Sequence, residues 1–143
     1  MAIDQLSVFV ENKPGKLVEV LEAIGASGVD LRALSIADTA DYGVLRVIVD
    51  RPVDALKLLT DLGFVVRINQ VLPVSIDDKP GALANTLRVL SDAGVSVEYL
   101  YAFVAHGNGR AFVILRVEDN EAAEAVLRKS GIAIAAREDI YRA

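Results

Sequence analysis

The pattern of apolar and polar positions along the chain predicts a strand followed by a helix, and it does so twice. Alternating apolar residues give each predicted strand one face for a core: Leu6, Val8 and Val10 in the first stretch, and Leu72, Val74 and Ile76 in the second. Apolar residues three and four positions apart then predict a helix: Leu17, Val20, Leu21 and Ile24, and later Leu83, Leu87 and Leu90. We therefore expect one structural unit in two copies.

A short phrase between each predicted strand and helix supports the duplication. It is "ENKPGKL" at residues 11–17 and "DDKPGAL" at residues 77–83. Gly15 and Gly81 are 66 residues apart (81 − 15), whereas Gly63 and Gly131 are 68 apart (131 − 63). The two extra residues are expected in or near "HGNG" at 106–109, where a hairpin loop absorbs an insertion at little cost.

The remaining segments complete the order βαββαβ in each copy. Further strands are predicted at 30–37, 43–50 and 64–70, and at 96–105, 110–118 and 132–137. The second helices are predicted from Ala55, Leu58, Leu59 and Leu62, and from Ala122, Val126 and Leu127. This order is the ferredoxin-like arrangement, an α+β fold with an antiparallel sheet and helices on one face. We predict two domains, 1–70 and 71–143, joined at "RINQVLPVS".

The third strand of each copy is apolar on both faces. We expect one row to face the helices: Leu45, Val47 and Val49, with Val113, Leu115 and Val117. The other row is too apolar for a face left in water: Val44, Arg46 and Ile48, with Phe112, Ile114 and Arg116. It is expected to lie against another sheet, most simply in a homodimer, with both arginines in interfacial ion pairs. An aromatic row is expected to pack between domains or, alternatively, beside a ligand: Tyr99, Tyr101 and Phe103.

The repeated phrase lies where a strand turns into a helix, with Pro14 and Pro80 expected in the first helical turn and Gly28 and Gly94 at the helix end. A helix start presents unpaired N–H groups and partial positive charge, which suit a carboxylate. The side-chain oxygen of Asn12 or Asp78 either caps the helix or accepts from a ligand's ammonium group.

A second acceptor opens the next strand, Asp30 in "GVDL" and Ser96 in "GVSV". We expect that strand to start beside the loop. A donor rim beside two acceptors would then match the zwitterion of a free amino acid.

The element order and these two motifs resemble the ACT domain, a regulatory module named from aspartate kinase, chorismate mutase and a prephenate dehydrogenase. The resemblance spans the whole chain and implies a tandem ACT protein without an attached catalytic domain. ACT domains pair side by side into a continuous sheet, and amino-acid-binding members hold the ligand at the interface between paired domains. The family's loop Asn matches Asn12 and Asp78, and its "GVNI" Asn matches Asp30 and Ser96.

The resemblance implies a ligand site in each copy. The expected residues are Asn12, Gly15, Lys16, Leu17, Asp30 and Leu31 in the first, and Asp78, Gly81, Ala82, Leu83, Ser96 and Val97 in the second. Asp30 departs from the family pattern because a carboxylate replaces an amide and repels a ligand carboxylate. Asp78 with Ser96 is a shorter and weaker combination. We therefore favour the first site over the second.

Composition excludes several classes of function. The chain contains no cysteine, so the common zinc and iron–sulfur sites are excluded, and we expect no cofactor or metal. A net charge of −5 disfavours nucleic acid as a partner. The start, "MAIDQLSVFV", is not a signal peptide, and apolar runs are too short for a membrane span. We therefore expect a cytoplasmic protein.

Three other functions compete with amino-acid binding. The segment "GRAFVIL" at 109–115 partly matches an RNA-recognition motif, but Arg110 takes a stacking position and the first copy lacks the aromatic row. Catalysis would depend on His106, the single histidine, in a surface loop. A structural oligomerisation module with an empty site is the third. We predict a non-catalytic amino-acid-binding regulator whose output lies in a partner, such as a regulated enzyme.

Overall fold

The computed structural model describes residues 1–38, 41–103 and 109–142. The chain forms two compact units, Asp4–Asn69 and Met1–Ile3 with Gln70–Ala143. Strand β4 (Val65–Asp77) contributes to both, because the boundary falls between Asn69 and Gln70. None of the helices in the described part of the chain is long and apolar enough to cross a membrane.

The first unit contains the predicted βαββαβ order. Its elements are β1 (Ile3–Glu11), α1 (Lys16–Ala26), β2 (Leu31–Asp38), β3 (Tyr42–Val49), α2 (Pro52–Asp61) and the first part of β4. The strands lie in the order β2-β3-β1-β4. Strand β3 is antiparallel to both of its neighbours, pairing Leu45 with Val8 of β1 and with Ile36 of β2.

The second unit repeats this plan. Its elements are the rest of β4, α3 (Ala82–Asp92), β5 (Val97–Phe103), β6 (Arg110–Val117), α4 (Asn120–Lys129), β7 (Ala133–Ile134) and α5 (Arg137–Arg142). The strands lie in the order β5-β6-β4-β7. Two ferredoxin-like units with antiparallel strands and an α+β fold are therefore confirmed.

Three elements differ from the prediction. The segment "RINQVLPVS" is the interior of strand β4 and not a link between two strands. The strand predicted at 132–137 shrinks to the two residues of β7, and the chain then forms α5, which the apolar pattern did not predict. The loop "HGNG", with His106, lies mostly outside the described residues.

Each unit has its own core between helices and sheet. The third-strand row predicted to face the helices is buried there, as predicted: Leu45, Val47 and Val49 in the first unit and Val113, Leu115 and Val117 in the second. The helix α4 contributes Ala123 and Leu127. Ala122, predicted for the core, is exposed, because the two-residue shift of the second copy matches Ala55 to Ala123.

The opposite sheet face is less available than predicted. Ile48 and Ile114 are fully buried within the single chain, so their burial does not require a second copy. Arg116 forms an ion pair with Glu98 at 3.4 Å and donates to the Gln70 carbonyl at 2.8 Å, both in its own unit. Arg116 therefore has its ion-pair partner within its own unit, whereas the sequence predicts one across an interface. Tyr101 of the aromatic row is buried.

Candidate functional site

Glycine begins the first helix of each unit. Gly15 and Gly81 are the N-cap residues, with left-handed backbones at φ 88° and 87°, and no side chain caps either helix. Pro14 and Pro80 precede these glycines and so lie in the turn, not in the first helical turn as predicted. Capping by Asn12 or Asp78 is likewise not observed. The repeated phrase therefore encodes a tight turn that leaves the helix start open.

The open helix start leaves backbone donors available. In the second unit the Ala82 amide donates to the Lys79 carbonyl at 3.3 Å, and the Asn85 amide donates to the Gly81 carbonyl at 3.0 Å. Within the described part of the chain, no acceptor pairs with the amides of Leu83 and Ala84. The first turn of α3 thus presents free N–H groups at the positive end of the helix.

The loop and the start of the second strand do not adjoin within the first unit. The Asn12 amide donates to the Asp41 carbonyl at 3.0 Å, at one end of β3. The Asp50 amide donates to the Asp30 carbonyl at 3.1 Å, at the other end. At roughly 3.3 Å per residue, these ends lie about 30 Å apart. The expectation that Asn12 and Asp30 meet in one unit is wrong, because antiparallel β3 lies between two parallel strands.

The second unit shows the same separation. The Asp78 amide donates to the Gly109 carbonyl at 2.7 Å, beside the start of β6. Ser96 lies near the other end of β6, in a separate hollow of about 320 Å³ that also contains Glu98, Glu118 and Asp119. Asp78 and Ser96 therefore cannot contact one small molecule within this unit either.

The carboxylate of Asp30 has a partner that the sequence did not suggest. It forms an ion pair with Arg32, two residues along the chain. The Asp30 amide also donates to the Asp50 carboxylate at 2.9 Å. The pairing with Arg32 offsets the negative charge that we expected to repel a ligand carboxylate.

The structure brings another set of residues together in the second unit. A cleft of about 430 Å³ lies between the loop before α3, the end of β4 and the turn after α4. Gly81 and Ala82, two of the expected site residues, line it. It also contains Arg110, whose side chain bonds to Ser75 and Asp77. The sequence relates Arg110 only to a partial RNA-recognition motif; the signal that could have identified it here is that it replaces Tyr42 of the first copy.

The first unit has a smaller cleft at the equivalent position, of about 250 Å³. Its lining residues all have counterparts in the larger cleft, at the repeat offsets given above: Phe9, Glu11, Lys16, Glu19, Tyr42, Leu62, Gly63, Phe64 and Val65. A hydrogen bond from the Lys13 side chain lowers the pKa of Glu11 below its ordinary value. This cleft therefore keeps an ionised carboxylate at its rim at neutral pH.

The sequence of the whole chain matches a known protein family. Residues 1–142 match the family described as the ACT domain pair. The chain belongs to this family. The resemblance drawn from the element order and the two motifs is therefore confirmed, and the family is a regulatory and not a catalytic one.

Solved structures agree with this assignment. A protein from Bacteroides thetaiotaomicron is 40% identical, with a TM-score of 0.93 over 100% of this chain and 98% of that chain. The ligand-free regulatory subunit of aspartate kinase from Thermus thermophilus is 19% identical, with a TM-score of 0.65 over 89% and 91%. The corresponding subunit from Thermus flavus is 20% identical, with a TM-score of 0.63 over 87% and 88%. The two kinase subunits show the shared fold. No curated protein matches the sequence.

Proposed function

We propose that this ACT domain pair is a non-catalytic regulator that binds a free amino acid at an interface between ACT units. The observation that supports it best is the open helix start behind a left-handed glycine, present in both units. The free amides suit the ligand's α-carboxylate. Asn12 and Asp78, both exposed, supply side-chain oxygens beside them for the α-ammonium group.

Because the loop and the strand start lie apart within each unit, the proposed site is built by two units. The loop of one unit supplies the helix start, and an ACT unit of a second copy of the chain supplies the start of its second strand. The proposed contacts are the loop set Asn12, Gly15, Lys16 and Leu17, or Asp78, Gly81, Ala82 and Leu83, and the strand set Asp30 and Leu31, or Ser96 and Val97. The functional form is accordingly a homodimer.

Binding at such an interface gives a physical mechanism for regulation. A ligand that contacts two units favours the arrangement in which both sets of contacts are made, so it shifts the population of arrangements. The output then lies in a partner that distinguishes these arrangements, such as a regulated enzyme in the cytoplasm.

The test is a thermal-shift panel of the twenty amino acids with the full chain. At about 100 times its Kd, a ligand adds roughly 2.7 kcal/mol of stability. Asn12→Ala and Asp30→Ala should each reduce the shift, because each removes one half of the site. Asp61→Asn, an exposed change at the end of α2, is the control and should leave the shift intact. A flat response across the panel would instead support a structural oligomerisation module.

A further inference from the structure

We propose that the cleft of the second unit is a pocket for a small metabolite that carries a carboxylate, with Arg110 as its anchor. Every residue that lines this cleft lies in one unit, so the pocket is complete without a second copy. It shares Gly81 and Ala82 with the loop set of the interface site but contains neither member of the strand set, Ser96 and Val97. The pocket therefore needs no residue from a second copy, and variants of Arg110 and Ser130, which lie outside both sets, distinguish it from the interface site.

Arg110 is held in a fixed position at the edge of the cleft. Its Nε donates to the Ser75 hydroxyl at 3.1 Å, one terminal nitrogen donates to the Ser75 carbonyl at 2.8 Å, and the other bonds to the Asp77 carboxylate. These bonds use three of the five N–H donors of a guanidinium and leave one on each terminal nitrogen. The side chain is 37% exposed. A positioned guanidinium with two free donors suits a carboxylate, which accepts through both oxygens.

The charge of this cleft differs from that of its counterpart in the first unit. Arg110 and Lys79 outweigh Asp77 in the second unit, so the cleft carries a net positive charge. In the first unit Glu11 and Glu19 are balanced by Lys16 and by Lys13, which pairs with Glu11. An anionic ligand is therefore attracted more strongly by the second cleft than by the first.

The second cleft also has more space for a ligand than the first. Side chains of the first cleft have smaller or more polar counterparts in the second: Phe9 becomes Ser75, Tyr42 becomes Arg110, Leu62 becomes Ser130, Phe64 becomes Ile132 and Val65 becomes Ala133. The volume rises from about 250 to about 430 Å³, into the range of small-molecule pockets. Both clefts occupy the same position in one repeated fold, so the fold itself requires neither an arginine nor small residues there.

The rest of the lining indicates what else the ligand carries. Asn85 and Ser130 offer an amide and a hydroxyl, and Ile132 and Pro80 offer apolar surface. A compact carboxylic acid with one further polar group fits these contacts. An amino acid and the matching 2-hydroxy or 2-oxo acid share this chemistry. They differ in the ammonium group, for which the Asp77 carboxylate is the nearby acceptor.

Isothermal titration calorimetry of the full chain tests the pocket, with small amino acids and their 2-hydroxy and 2-oxo analogues as separate arms. At least one acid is expected to bind at millimolar concentration. Arg110→Tyr, which introduces the first-unit residue, should weaken binding about ten- to hundredfold through loss of the charged hydrogen bonds. Ser130→Leu, which introduces the first-unit leucine, should also weaken binding by filling the cleft without changing charge.

Three controls separate this pocket from other causes. Arg88→Ala removes a positive charge from the exposed face of α3 outside the cleft, and it should leave binding unchanged. Asn12→Ala alters the first-unit loop of the interface site, which shares no residue with this cleft, so the binding that depends on Arg110 should persist. Arg110→Lys keeps the charge but loses the fork of donors, so an intermediate loss is expected even if Arg110→Tyr fails to fold.

Several results would overturn the proposal. The proposal is wrong if none of the amino acids, 2-hydroxy acids or 2-oxo acids binds. It is also wrong if the wild type, Ser130→Leu and a folded Arg110→Lys bind the same acid equally well. Loss of binding in Asn12→Ala, with full binding in the Arg110 variants, would assign the ligand to the interface site and support that proposal alone.

Discussion

Gly15 and Gly25 lie at the start and in the interior of the same helix, and a Cβ added at either meets no heavy atom within 4 Å. They differ in backbone conformation, because only Gly15 has a positive φ, at 88°. Gly15→Ala should therefore destabilise the protein by about 1–2 kcal/mol through strain. Gly25→Ala should stabilise it by roughly 0.5–1 kcal/mol. Urea unfolding of the two variants measures both, and a loss of stability in Gly25→Ala would contradict the argument.

Single residues also show where sequence reasoning was sufficient. The phrase Lys-Pro-Gly predicted a sharp turn before a helix, and Gly15 and Gly81 adopt it because only a residue without Cβ takes this φ at low cost. The sequence could not decide whether Asn12 caps α1, because the backbone conformation of Gly15, which lies between Asn12 and the helix, sets the direction of the chain. The pairing of Asp30 with Arg32 depends likewise on side-chain positions that spacing alone does not give.

At the scale of elements, α2 and α4, the second helix of each unit, differ in how they begin. Asp119 caps α4 by accepting from the Ala122 amide at 3.1 Å, whereas Arg51 at the equivalent start of α2 makes no cap hydrogen bond. Asp119→Ala should cost about 1 kcal/mol of stability, because a first-turn amide loses its partner. Asp119→Asn keeps the acceptor and should cost little. Chemical denaturation compares them, and equal stability of the two variants would exclude the cap as the cause.

The same helices anchor the cores. Leu59 of α2 is fully buried in the first core, while Leu62, three residues on, is 54% exposed. Leu59→Ala should cost about 2–5 kcal/mol through lost contacts and a cavity. Leu62→Ala should change stability by less than about 0.5 kcal/mol. Urea unfolding of both variants measures the two losses in unfolding free energy. A similar loss in Leu59→Ala and Leu62→Ala would contradict the assignment of Leu59 to the core.

Element order was predictable because each strand and helix carries its own hydrophobic period. The position of Asn12 relative to Asp30 depends on strand direction as well, and there the prediction is wrong. With β3 antiparallel to both β1 and β2, the end of β1 and the start of β2 lie at opposite ends of β3. The strands predicted on either side of "RINQVLPVS" are one continuous strand, β4, because no turn interrupts the extended chain there.

At the scale of the whole molecule, the duplication was predictable from the two constant offsets, but the divergence of the two copies was not. Tyr42 and Arg110 occupy matching positions, yet only their three-dimensional surroundings show that both line a cleft. The sequence favours the first copy because Asp78 with Ser96 is a shorter and weaker pair than Asn12 with Asp30. Packing favours the second copy, where smaller side chains leave the larger cleft open.

The homodimer proposed for the interface site gives the last prediction. In the first unit β2 is an edge strand, and its Leu34 and Ile36 are 49% and 47% exposed. An edge with exposed apolar side chains is a surface on which another strand pairs, and charges oppose such pairing. Leu34→Lys with Ile36→Lys should therefore convert a dimer of twice 15.3 kDa into a monomer of 15.3 kDa. Size-exclusion chromatography with multi-angle light scattering measures the mass.

Val53→Lys is the matched control, because this residue is also exposed, at 67%, but lies on α2 and not on the edge strand. It should leave the dimer intact. Since the interface site needs two copies, the edge double variant should also lose the thermal shift caused by its amino acid. The second-unit pocket is complete in one chain, so its acid should still bind the monomer. A double variant that stays dimeric would place the interface elsewhere than β2, and a monomer that keeps the full shift would show that the amino-acid site needs one chain only.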